Sequence, residues 1–139
     1  MNAQFGVIVE RDRDLRIVRP IGELDISTVG ELATVVEREC SSQADLVVDL
    51  RGLSFLDCAG LRILLYARAL ANSNGSSLRL IPGPAMVQRV FDLTGLHHHF
   101  RFIPSTGLRP GPSLSATRSW FAGGPRHGLV SVKNTWLFL

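Results

Sequence analysis

An apolar run that leads almost directly into a helix constrains the fold of this chain more than any other feature. The run Leu46–Leu50 has the length of a strand and is nearly continuous in apolar residues, a pattern typical of a strand buried on both faces. A short turn follows, and then Leu61, Leu64 and Ala67 recur at helical spacing. The sequence therefore predicts a central strand joined to a long helix, with Cys58 where the helix begins and backbone N–H groups converge.

The flanking segments also alternate between strands and helices. Two β-branched runs, Phe5–Glu10 and Leu15–Val18, are separated by charged residues typical of a hairpin turn. Ser27 or Thr28 can cap a first helix that extends to about Cys40. The remaining elements are a strand, a helix and a short strand, at Ser77–Ile81, Pro84 to Gly95 and Phe100–Ile103. The order β-β-α-β-α-β-α-β predicts an α/β domain with a mixed sheet and helices packed over it.

The distribution of charge divides the chain in two. Its 139 residues, 45% of them hydrophobic, suffice for one domain with one core. Residues 1–104 hold 11 arginines against all 12 acidic residues, whereas residues 105–139 hold four basic residues and no acidic one. Because duplex binding needs clustered basic residues, we expect no direct DNA binding by the domain at 1–104.

Residues 105–139 form a basic tail rich in proline and glycine, and we expect it to be either disordered or docked. Within it, Leu129–Val132 can form an edge strand. No apolar run is long enough to span a bilayer, and the amino terminus lacks the features of a signal peptide. We therefore expect a cytoplasmic protein without membrane insertion.

The cysteines and histidines predict no metal site and no cofactor. Cys40 and Cys58 lack the spacing of zinc ligands, so reduced thiols are expected. The strand between them spans about 16 Å, which exceeds the roughly 7 Å that a disulfide can bridge. The run His97–His99 is interpreted as a solvated loop, because consecutive side chains point in alternate directions.

Three segments together resemble the STAS domain, in particular the anti-sigma factor antagonist family of bacteria. They are Gly22–Asp25, Val48–Leu61 and Pro84–Leu96, and the resemblance extends over roughly residues 5–104. It implies a single STAS domain without enzymatic activity of its own. It also implies a partner, an anti-sigma factor that is usually a serine kinase with an ATPase fold, whose capture frees a sigma factor for transcription.

The resemblance makes Cys58 a switch position. In the family, the kinase phosphorylates the serine directly after the motif aspartate, and here that position is Cys58. A phosphoserine adds about −1.5 to −2 charges, enough to break an interface. Cysteine cannot take that route, which leaves three interpretations. The replacement can be silent, giving a constitutive antagonist; the thiol can be a redox switch, although Asp57 opposes thiolate formation; or the thiol can be a nucleophile, for which no histidine base is placed.

The resemblance also implies that Asp25 and Asp57 flank the modified position and contact the kinase, although both are equally capping or turn carboxylates. Arg62 is a better interface candidate than Leu61 and Leu65, which at this spacing are more often core. The candidate partner-binding residues are Asp25, Asp57, Ala59, Gly60 and Arg62. The expected state is a monomer or weak dimer. A different class of function also stays open, a sensing module that binds a small anionic ligand, a nucleotide or a partner in a larger complex.

Overall fold

The predicted alternation of strands and helices is present in the computed structural model of the protein. The structure describes residues 5–41, 43–105, 127–131 and 136–138, the last two ranges as backbone only. The elements are β1 (Gly6–Asp12), β2 (Leu15–Leu24), α1 (Val29–Glu39), β3 (Asp45–Asp49), β4 (Leu53–Leu56), α2 (Cys58–Ser73), β5 (Leu78–Ile81), α3 (Ala85–Thr94), β6 (Arg101–Phe102), β7 (His127–Ser131) and β8 (Trp136–Phe138). The α/β class with a mixed sheet is confirmed.

The sheet has the strand order β6-β5-β3-β2-β1-β7-β8. Strands β2, β3, β5 and β6 are parallel, whereas β1 is antiparallel to both of its neighbours, β2 and β7. This arrangement places β3, the predicted central strand, between two parallel neighbours, and its Val47 and Val48 are fully buried.

Three local predictions differ from the structure. The segment after β3 is not only a turn, because a 3₁₀ turn at Leu50–Gly52 leads into β4, which pairs in parallel with the end of β2. The predicted edge strand at Leu129–Val132 is realised as β7, which lies between β1 and β8 rather than at the edge, and Val132 lies outside the described residues. The run His97–His99, predicted as a solvated loop, belongs to a 3₁₀ turn in which His98 and His99 are exposed.

All three helices pack on one face of the sheet. Their inward side chains form a single core with strand residues of the same face, and its fully buried members include Val18, Val48 and Leu80 from the strands and Leu32, Leu64 and Phe91 from the helices. No helix in the described part of the chain is long and apolar enough to cross a membrane.

The start of α1 lacks the side-chain cap that the sequence predicts from Thr28. Thr28 occupies the position before the helix, but its hydroxyl makes no capping bond to it. The hydroxyl donates instead to the carbonyl of Glu23 at 2.7 Å and accepts the N–H of Asp25 at 3.0 Å. The side chain predicted as a cap therefore fixes the loop that follows β2.

The opposite face of the sheet carries a buried carboxylate. Glu10 of β1 is 1% exposed, and neither carboxylate oxygen has a hydrogen-bond partner among the residues described. Burial raises the pKa of Glu10 to about 7, because the charged form loses its hydration; nearby Arg19 opposes this rise and Asp12 and Asp49 add to it. Glu10 thus stays protonated in the folded protein until the pH approaches neutrality.

Glu10 makes the stability of the fold depend on pH. Between the ordinary value of 4.5 and about 7, the folded chain holds a proton that the unfolded chain releases. The free energy of unfolding therefore falls as the pH rises through this window, and then levels off. We expect Glu10→Gln, which is neutral at every pH, to lack this decline and to exceed the parent chain at pH 8 by about 2 to 3 kcal/mol. Urea unfolding of both proteins at pH 5 and pH 8 measures the difference, and an identical decline in both would contradict it.

Candidate functional site

Cys58 lies on the surface where β4 passes into α2. Asp57 occupies the position before the helix, and its carboxylate accepts the N–H of Gly60 at 3.0 Å. Its carbonyl accepts the N–H of Leu61, also at 3.0 Å. The carboxylate satisfies one of the N–H groups that a helix start leaves unpaired, and the carbonyl accepts the first hydrogen bond of the helix itself. Cys58 is therefore the first residue of a well-formed helix, and its side chain is exposed.

Asp25 and Asp57 are neighbours because their strands are neighbours. β2 and β4 run in parallel with Leu24 opposite Leu56, so the two aspartates follow paired residues at the same end of the sheet. The N–H of Asp57 also donates to the carbonyl of Leu24 at 3.3 Å. The structure thus brings Asp25, Asp57 and Cys58 to one surface.

The carboxylate of Asp25 organises the loop beside this surface. It accepts the hydroxyl of Ser27 at 2.6 Å and the N–H of Ser27 at 2.9 Å. The hydroxyl bond in particular holds the pKa of Asp25 below its ordinary value. The carboxylate is therefore ionised at neutral pH, and it holds the loop that presents Ile26 to solvent.

Gly60 lies beneath the surface rather than on it. A Cβ at this position would overlap the side chain of Leu56 and would lie 3.0 Å from the carbonyl oxygen of Leu24. The first turn of α2 can therefore approach the ends of β2 and β4 only because residue 60 is glycine. Gly60 is buried, so its visible role is to position Cys58 and not to offer a side chain to a partner.

A groove of about 280 Å³ runs between the start of α1 and α2. On α2 its lining follows helical spacing, and on the other side it is closed by the loop after β2 and the start of α1. The lining residues are Ile26, Val29, Ala59, Arg62, Ile63 and Tyr66. The groove begins one residue after Cys58, so the switch position and the groove form one continuous surface, which we call the α1–α2 groove surface.

The predicted residues of α2 separate as expected between core and surface. Leu61 is buried and Leu65 packs half-buried against the core. Arg62 is exposed at the groove, and none of the described residues forms an ion pair or a side-chain hydrogen bond with it. Ala59 lines the groove, so Ala59 and Arg62 are the candidates whose side chains are available to a partner.

The apolar part of this surface was not predicted from the sequence. Ile26 is 76% exposed in the loop, and Tyr66 is 41% exposed while its hydroxyl donates to Glu37 of α1 at 2.6 Å. Ile26 carried a signal, since it lies outside the apolar pattern of the first helix. Tyr66 carried none, because its position depends on how α1 and α2 pack.

The two thiols differ in environment. Both are free, Cys58 exposed and Cys40 half-buried at the end of α1. Burial raises the pKa of the Cys40 thiol, which lowers its reactivity. Of the two, Cys58 is thus the thiol accessible to an oxidant or to a partner.

Comparison with known proteins identifies the family. Residues 7–108 match the model of the STAS domain, and the chain belongs to the STAS domain family. An anti-sigma F factor antagonist from Paenibacillus polymyxa is 30% identical over 109 residues, which cover 75% of this chain and 86% of that protein. An anti-sigma-B factor antagonist from Staphylococcus epidermidis is 33% identical over 84 residues, 60% of this chain and 78% of that protein.

A solved structure agrees with these relatives. The crystal structure of an anti-sigma factor antagonist from Mycobacterium paratuberculosis superposes with a TM-score of 0.68 at 25% identity, and covers 85% of this chain and 99% of that one. The predicted resemblance to the STAS domain and to anti-sigma factor antagonists is confirmed.

Proposed function

We propose that the chain is an anti-sigma factor antagonist, which binds a kinase-type anti-sigma factor through the α1–α2 groove surface and so frees a sigma factor for transcription. The observation that carries the proposal is the position of Cys58, which is exposed at the first residue of α2, directly after the capping Asp57. The names of the relatives from Paenibacillus and Staphylococcus support the general role.

The chemistry of the surface suits a protein partner. Ile26 and Tyr66 expose apolar area around a groove, and Arg62 adds a cation that no described residue neutralises. Aromatic residues and arginine dominate the binding energy of many interfaces, especially beside a pocket that a partner side chain can fill. The lining is mainly apolar, which favours an apolar side chain of a protein over a small anion.

Cys58 determines how binding to the proposed partner would be regulated. The α2 start presents a thiol where the resemblance implies a phosphoserine, and a thiol is not an ordinary substrate for a serine kinase. We therefore propose a constitutive antagonist, which the kinase activity of its partner does not release. On this account, Cys58→Ser restores the missing phosphate acceptor on a surface that is otherwise unchanged.

Phosphorylation by the partner tests this proposal. The chain, Cys58→Ser and the matched control Cys58→Ala are each titrated by calorimetry against kinase-type anti-sigma factors of the encoding organism, with and without ATP. We expect all three to bind without ATP. Only Cys58→Ser should take up labelled phosphate and lose affinity, by at least about tenfold, the effect of roughly 1.4 kcal/mol.

Binding measurements after peroxide treatment distinguish a constitutive antagonist from one under redox control. We expect the parent chain to bind equally well in reductant and after mild peroxide. Binding that peroxide weakens and reductant restores, with Cys58→Ser unaffected, would replace the constitutive account with a thiol switch. Failure to bind any candidate anti-sigma factor would contradict the proposed function, and ligand-dependent thermal stabilisation would then test the sensing module.

A further inference from the structure

The charged groups beside the α1–α2 groove surface are of two kinds. The first kind accepts hydrogen bonds from within the chain and comprises the carboxylates of Asp25, Asp57 and Glu37. The second kind is the guanidinium of Arg62, which lines the groove and has no ion pair and no side-chain hydrogen bond with any described residue. Among these groups, the one left available to a partner is therefore the cation.

Arg62 does not stabilise the helix that carries it. It lies one turn after Cys58, the first residue of α2, and so stands near the end of the helix that carries partial positive charge. A cation gains no stabilisation from the helix dipole there, and the side chain of Arg62 is exposed. Because no described residue pairs with it either, the described part of the fold does not require an arginine at this position. Arginine is, however, enriched where proteins bind each other.

The surroundings of Arg62 in the groove are apolar. Ala59 and Tyr66 lie three residues before it and four after it on α2, so they share its side of the helix. Ile26, in the loop after β2, is 76% exposed. A partner that covers this apolar area removes water from the guanidinium, and a desolvated cation is costly unless a negative group pairs with it. The surface is thus complementary to a segment that carries an apolar side chain and a carboxylate side by side.

We propose that the anti-sigma factor presents to the α1–α2 groove surface an apolar side chain that enters the groove and, next to it, a glutamate or aspartate whose carboxylate pairs with Arg62. This inference rests on the proposed function, since it takes the anti-sigma factor as the occupant of the groove. Arginine can bind a carboxylate through two parallel N–H···O bonds, so the pair also fixes the orientation of the partner segment. Cys58 and Arg62 are neighbours on one face of α2, so a negative group at residue 58 would repel the partner's carboxylate.

Charge reversal at Arg62 tests the proposal in the full-length chain. The parent chain, Arg62→Gln and Arg62→Glu are titrated by calorimetry against kinase-type anti-sigma factors of the encoding organism. We expect the affinity to fall at least about fivefold for Arg62→Gln and at least about 30-fold for Arg62→Glu, because the second variant adds repulsion to the lost attraction. Arg68→Glu is the matched control, since Arg68 is exposed on the same helix but does not line the groove, and it should bind like the parent chain.

A charge swap identifies the group on the partner. Each glutamate and aspartate on the surface of the anti-sigma factor is changed singly to lysine, and every variant is titrated with the parent chain and with Arg62→Glu. We expect one lysine variant to bind Arg62→Glu more tightly than it binds the parent chain. Salt gives a second measurement, because raising NaCl from about 50 mM to about 500 mM should weaken the binding of the parent chain more than that of Arg62→Gln, which lacks the charge pair.

The outcomes separate this inference from the proposed function. Equal affinity of the parent chain and Arg62→Glu, an equal loss in Arg68→Glu, or no lysine variant that prefers Arg62→Glu would overturn the carboxylate contact, while binding by the parent chain would still support the proposed function. Failure of the parent chain itself to bind any kinase-type anti-sigma factor would overturn both. Thermal unfolding midpoints close to that of the parent chain confirm that the variants are folded.

Discussion

Ala59→Tyr is expected to weaken binding to the anti-sigma factor at least about 100-fold while the fold remains intact. Ala59 is half-buried and lines the α1–α2 groove opposite Ile26. A tyrosine ring at this position would occupy a large part of this groove, where the partner would otherwise insert a side chain. A 100-fold loss corresponds to about 2.7 kcal/mol, the size of a single interface hot spot.

Ala69→Tyr is the matched control for this substitution. Ala69 lies exposed on the same helix but does not line the groove. Calorimetry should show native affinity for Ala69→Tyr, and thermal unfolding should show similar midpoints for both variants. Equal losses of affinity in the two variants, or native affinity in Ala59→Tyr, would contradict the assignment of the groove as the binding surface.

Asp49→Ala is expected to lower the free energy of unfolding by about 3 to 5 kcal/mol, the cost of breaking a buried ion pair. Asp49 ends β3 and is fully buried. Its carboxylate accepts the Nε of Arg19 at 3.0 Å, the backbone N–H of Arg51 at 3.0 Å and the Nη2 of Arg51 at 2.8 Å. Alanine leaves these donors without their acceptor, and the side chain of Arg19 is only 19% exposed.

Asp45→Ala, on the same strand, is the control for Asp49→Ala. The side chain of Asp45 is 44% exposed, its contact with Arg79 is a longer one of 3.4 Å, and it also accepts the backbone N–H of Ser77 at 3.1 Å. An exposed ion pair contributes at most about 1 kcal/mol and one hydrogen bond about 1 kcal/mol, so we expect Asp45→Ala to lower the free energy of unfolding by at most about 2 kcal/mol. Urea unfolding of both variants measures the contrast, and a loss for Asp49→Ala no larger than that for Asp45→Ala would show that the buried cluster does not stabilise the fold.

The long strands and helices could be predicted from the sequence alone. In these elements, the apolar residues of the local pattern are the same residues that are buried in the folded protein. The continuous run Leu46–Leu50 predicted a strand with two buried faces, and β3 has neighbours on both sides and buried side chains on both faces. Leu61, Leu64 and Ala67 predicted the inner face of α2, and all three are buried. Local periodicity and tertiary burial coincide at these positions.

The prediction failed where a contact distant in sequence decides the structure. Leu53–Leu56 is too short and too exposed in its middle to be distinguished from a turn, and it becomes a strand only by pairing with β2. Thr28 has the chemistry of a cap, yet its hydroxyl is engaged by Glu23 and Asp25.

The candidate site likewise has one part that the sequence predicts and another part that depends on how the helices pack. The local pattern predicted Cys58 at the start of a helix and allowed Asp57 as a capping or turn carboxylate; Cys58 begins α2, and Asp57 is its cap. The groove arises between two helices, so its exposed members Ile26 and Tyr66 became recognisable only once α1 and α2 were packed together. The sequence predicts Gly60 as a partner-binding residue, whereas the close approach of Leu24 and Leu56 explains why this position is a glycine.

Displacement of a sigma factor from its complex with an anti-sigma factor tests the central claim most directly. A complex of the two proteins from the encoding organism, with a fluorescent label on the sigma factor, is titrated with the full-length chain, and the anisotropy of the label is followed. We predict that the anisotropy falls to the value of the free sigma factor once the chain is equimolar with the anti-sigma factor, with ATP present or absent. An anisotropy that stays at the value of the complex at a large excess of the chain, for every kinase-type anti-sigma factor of that organism, would contradict the account.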